Sequence, residues 1–80
     1  MPDQTKLDFI LSVLRELHPY EEINEDTELI NSGLLDSLSI LFVISQIEEH
    51  FNIEISEDFV QPQYFSSPLN IVELVQLCSS

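Results

Sequence analysis

Eighty residues suffice for one small domain, expected here to span 1–80, whose core must be compact and well filled. A hydrophobic fraction of 44% with a single glycine argues for a folded chain and against a disordered acidic one. Fifteen acids against only Lys6 and Arg15 give a formal net charge of −13, which repels nucleic-acid phosphates and anionic lipid and steers basic protein surfaces toward the chain.

Leu7, Ile10, Leu11, Leu14 and Leu17 recur at helical spacing and predict a first helix over 4–17. Asp3 is placed to cap it, and Pro19 stops it just after His18, which reads as a helix-end residue. From Tyr20 to Ser32 the chain is acidic and aperiodic, a loop expected to be pinned to the core by Ile23, Leu29 and Ile30. The run "NEDTE" lacks the acid spacing and the glycine of a calcium loop. Gly33 permits a tight turn.

A second helix is expected over 37–50, capped by Asp36 and ended by Asn52. Its core-facing stripe is read as Leu38, Leu41, Ile44, Ile47 and Phe51, widened by Val43. "IEI" at 53–55 is a short extended stretch, and 56–61 a short helix capped by Ser56 and closed by Pro62. Ser67 followed by Pro68 opens a last helix over 68–78, since proline at the first helical position loses no needed donor. Ile71, Leu74, Val75 and Cys78 form its buried stripe. The lone Cys78 excludes an internal disulfide and reads as a small apolar residue. None of these helices is stable alone, so together they predict an all-α fold: a small bundle of three main helices plus one short helix. No apolar run is long enough to span a bilayer, so the expectation is a cytoplasmic monomer without membrane insertion or nucleic-acid partner.

Ser37, in "SGLLDSLSI", has three possible roles: a plain residue of the first turn, a nucleophile, or an attachment point. Catalysis needs a base and oxyanion donors. His18 and His50 are the only candidate bases, both near helix ends, and "LDSL" has Leu35 where the G-D-S-L stretch of serine esterases has glycine. The chain is therefore not expected to be an enzyme.

"GLLDSL" opening an apolar-striped helix that ends "IEEHFNIEI", with "DTELINSGLLDSL" before it and "FSSPLNIVELV" after it, resembles the carrier-protein family of acyl, peptidyl and aminoacyl carriers over nearly the whole chain. The resemblance implies an acyl-carrier-like bundle, with 4′-phosphopantetheine from coenzyme A joined to Ser37 through a phosphodiester. It implies a thioester cargo on that arm, and Asp36 in support as a partner for magnesium in the modifying enzyme. It further implies a phosphopantetheinyl transferase, an adenylating or acyl-transferring enzyme and downstream biosynthetic enzymes as partners. The outer face of the second helix should carry Ser39, Ile40, Phe42, Ser45, Glu48 and Glu49, so that acids steer a basic rim while Ile40 and Phe42 offer apolar contact. That composition departs from the acid-rich face of fatty-acid carriers, and the chain more closely resembles standalone carriers that receive an aminoacyl or unusual acyl group. The alternative is an unmodified helical adaptor that binds a protein through the same face.

Overall fold

The computed structural model describes residues 4–79 and folds as three α-helices, α1 (Gln4–Leu17), α2 (Ser37–Phe51) and α3 (Pro68–Ser79), with 3-10 turns at Glu57–Phe59 and Pro62–Phe65. No strand occurs among the described residues. The cap expected at Asp3 lies outside them.

α1 forms where the stripe requires it, burying Leu7, Ile10, Leu11, Val13 and Leu14, with Leu17 half-buried at its end. It packs against both α2 and α3, and the second 3-10 turn, carrying the fully buried Phe65, closes against α2 and α3. Where one short helix is expected over 56–61, there are two 3-10 turns, and Pro62 opens the second instead of closing the first. The cause is local: Ser56 caps the first turn through the Asp58 N–H at 3.3 Å, while Pro62 enters at a helical first position, where it loses no donor. Ser67 accepts the Asn70 N–H at 3.3 Å at the head of α3, where Pro68 is buried.

α2 ends at Asn52, in left-handed conformation at φ 53° and ψ 50°, with its N–H bonded to the Glu48 carbonyl. The Glu48 side chain also accepts the Ile55 N–H at 2.9 Å, which turns the chain into the extended stretch after the helix. Phe9 of α1 stacks on His50 at 3.9 Å between ring centroids, with Phe51 edge-on to both, so an aromatic cluster joins α1 to the tail of α2.

The long connection between α1 and α2 is held as expected, with one exchange of anchors. Ile23 and Leu29 are buried and Ile30 is half-buried, but Leu35 also enters the core. Two backbone bonds stitch this loop to the head of α3 and the residues before it: Leu29 N–H to the Ser66 carbonyl at 2.8 Å, and Leu69 N–H to the Glu25 carbonyl at 3.1 Å. Gly33, at φ +81°, meets nothing within 4 Å at its would-be Cβ, so glycine is required there for backbone conformation alone.

Candidate site at the head of the second helix

Asp36 is extended, at φ −128° and ψ −172°, and its Oδ1 accepts the Ser39 N–H at 2.9 Å. Its carbonyl takes the Ile40 N–H at 2.9 Å, the first bond of the helix ladder. The Ser39 N–H, then the Ser39 hydroxyl, hold the Asp36 carboxyl below the ordinary aspartate range, so it stays ionised. Ser37 is the first helical residue and is exposed. Its side chain thus stands at the positive end of α2, beside N–H groups of the first turn that have no intrahelical partner.

Along α2 the buried set is Ile40, Val43, Ile44 and Ile47. This corrects the expected stripe. Leu38 is 78% exposed and Leu41 53% exposed, whereas Ile40, expected on the outer face, is 5% exposed and belongs to the core. Helix geometry explains the difference. Steps of three residues turn the helix back by about 60° each at 100° per residue, so Leu38, Leu41, Ile44 and Ile47 drift through about 180° and never share a face. Ile40, Val43, Ile44 and Ile47 mix steps of three with a step of one and stay within about a third of a turn. That mixture was the signal in the sequence. It was hidden because the run from Ile40 to Ile44 is apolar on every side.

The outer face therefore consists of Leu38, Leu41, Phe42, Ser45 and Glu49, all exposed, with Phe42 at 39%. Of the residues expected on this face, Phe42, Ser45 and Glu49 are accessible as read, and Ser39 is half-buried. Glu48 is half-buried, and its carboxylate accepts the Ile55 N–H. Leu38 and Leu41 are the accessible residues that the sequence reading assigned to the wrong side. They flank Ser37 and give the head of α2 an apolar surface.

The histidines are occupied elsewhere. His18 reaches the Leu34 carbonyl through Nε2, and His50 lies in the Phe9 stack. Cys78 is half-buried, and burial, followed by the negative charge of Glu48, pushes its thiol up, which disfavours the reactive thiolate. No group of side chains among the described residues has metal-holding geometry, and no helix among them is long and apolar enough to cross a membrane.

Comparison with known proteins gives this geometry a family. A family model described as "Phosphopantetheine attachment site" matches residues 8–76. A protein from Enterococcus faecalis (strain ATCC 700802 / V583), the "D-alanyl carrier protein", is 26% identical over 69 residues, covering 84% of this chain and 88% of the relative. The match extends from the first turns of α1 into the last turns of α3, so it takes in the capped head of α2 together with the three helices that support it. Proteins of this kind carry covalently attached 4′-phosphopantetheine, work with a phosphopantetheinyl transferase and biosynthetic enzymes, and are not themselves enzymes. The chain belongs to the phosphopantetheine attachment-site family and is a carrier protein.

Proposed function

We propose that Ser37 bears the phosphopantetheine arm and that this carrier delivers an aminoacyl or other short acyl group to enzymes docking on the outer face of α2. The observation that carries the reading is the exposure of Ser37 at the first helical position, directly after a cap residue whose carboxylate is already engaged. The residues present fit the group. An exposed hydroxyl is open to a modifying enzyme, and a phosphodiester there meets free N–H groups and the positive helix end. The terminal thiol of the arm supplies the thioester bond to the cargo. Asp36 supports the site by ordering the first turn through the Ser39 N–H, which keeps Ser37 on a defined helix start.

The chain contributes address and tether. A short flexible link raises the local concentration of a carried group at a docked active site to the order of millimolar. Leu38, Leu41 and Phe42 offer apolar contact beside Ser37, with Ser39 and Ser45 at its edge and Glu49 toward the far end of the helix. A partner matching this face has an apolar groove with a basic rim, drawn in by the net charge of −13. The relative is named for D-alanine. That name, together with a surface less acidic near Ser37 than in fatty-acid carriers, supports an aminoacyl cargo activated by an adenylating enzyme.

The test is intact mass after incubation with coenzyme A, magnesium and a broad-specificity phosphopantetheinyl transferase. The wild-type chain should gain the mass of one phosphopantetheinyl group, and Ser37→Ala should gain none while keeping its helical content, since alanine is a good helix former. No gain in the wild type would favour the unmodified adaptor, and gain in Ser37→Ala would move the attachment elsewhere.

A further inference from the structure

Ser37 is positioned by α2 and by the four residues before it, of which Leu35 is buried in the core and Asp36 caps the helix. The Gly33 N–H bonds to the Ile30 carbonyl at 3.1 Å, and the Leu35 N–H to the Leu29 carbonyl at 2.9 Å, both within the same loop. Beside the packing of Leu35 in the core, a polar link from this segment to α1 comes from His18, whose Nε2 meets the Leu34 carbonyl at 2.5 Å. A carbonyl only accepts, so Nε2 carries the hydrogen and donates. The ring is itself well placed: the His18 N–H continues the α1 ladder to the Leu14 carbonyl at 3.0 Å, and the residue is half-buried. One turn earlier, Arg15 donates to the Ile23 carbonyl at 2.9 Å. The end of α1 thus grips the loop twice, Arg15 near its start and His18 near its finish, three residues before Ser37.

We infer that His18 is a positioning residue for Ser37: its imidazole fixes the Leu34 peptide, and through it the entry of the chain into α2. The consequence for modification rests on the reading of Ser37 as the attachment point. A transferase must dock the helix entry in one defined arrangement, and a carrier that holds that arrangement only part of the time binds more weakly by the same fraction. His18 touches neither cofactor nor reacting atoms in this role and acts only through Leu34, Leu35 and Asp36.

Two substitutions separate this role from simple packing. His18→Gln puts an amide N–H where Nε2 stands, whereas His18→Asn puts it nearer the place of Nδ1, short of the Leu34 carbonyl. Amide exchange of Leu35 and Ser39 reads the order of the segment. Steady-state kinetics of a broad-specificity transferase with coenzyme A and the apo carrier read its consequence. In His18→Asn the Leu35 amide should exchange about three- to tenfold faster, the effect of losing one ordinary hydrogen bond, and the KM for the carrier should rise by a similar factor with kcat little changed. His18→Gln should restore both. Ile55→Val, a comparable loss of stability in a different part of the core, should leave the KM unchanged. The proposal is overturned if Asn and Gln behave alike in exchange, or if Ile55→Val raises the KM as His18→Asn does. If Ser37→Ala still accepts the arm, the attachment reading fails separately, and the exchange of Leu35 and Ser39 still decides whether His18 holds the segment.

Discussion

α1 and α2 are of nearly equal length, 14 and 15 residues, yet they place their apolar side chains differently. α1 directs Leu7, Ile10, Leu11, Val13 and Leu14 inward and tucks Phe9 against His50 and Phe51. α2 buries four aliphatic residues and leaves Leu38, Leu41 and Phe42 exposed around Ser37. Exposed apolar residues cost solubility, and this cluster beside Ser37 is the surface that the proposed function assigns to a partner. The contrast separates a helix whose apolar residues mostly serve the core from one that buries four of them and leaves three exposed.

The largest effect should come from the side the two helices share. Leu14→Ala or Ile47→Ala empties a site with no solvent exposure and should cost about 2–5 kcal/mol in denaturant unfolding. If either loss were negligible, the assignment of inner faces would fail. Gly33→Ala comes next, at about 1 kcal/mol from left-handed backbone strain alone, because no neighbour obstructs the new methyl group.

The outer face should behave in the opposite way. Leu38→Ala should change stability by less than about 0.5 kcal/mol, as surface positions do. The same variant should lower kcat/KM for loading by the cognate enzyme by about tenfold, if Leu38 anchors the contact. Phe42→Ala should also slow loading, with a somewhat larger stability change because Phe42 is partly covered. Loss of stability with unchanged loading would make the outer face structural and abolish the contrast.

The smallest effect belongs to Asp36. Its carboxyl is held below the ordinary aspartate range, so its contribution is present above that range and is lost as pH falls through the lowered value. The Ser39 amide should therefore exchange at a pH-corrected rate that stays constant from neutral pH downward and rises only below the usual aspartate range. Asp36→Ala should show the faster exchange at every pH, while Asp36→Asn should retain much of the protection.

Much of the fold was legible because its punctuation is local. Pro19, Asp36, Asn52 and the Ser67–Pro68 pair act through their own backbone and nearest N–H groups, and each helix begins or ends where they require. The Asp36 cap and the helix start at Ser37 were legible for the same reason. The outer face of α2 was only half so. Phe42, Ser45 and Glu49 face outward as read, but Ile40 and Leu38 exchanged places, and Glu48 turned to the Ile55 N–H.

By itself, then, the sequence determined the three main helices, the ends of α2 at Asp36 and Asn52 and the helix start that presents Ser37, since propensity, capping and proline chemistry operate within a few residues. Only the tertiary structure decided which side of α2 is buried, because an almost continuously apolar run offers more than one stripe and packing against α1 and the Phe65 turn selects among them. It alone also brought His18 to Leu34 and Glu25 to Leu69, contacts between residues 16 and 44 positions apart in the chain. No periodicity or local propensity encodes pairs at such separations; they form when the core closes and leaves each polar group to find the partner within reach.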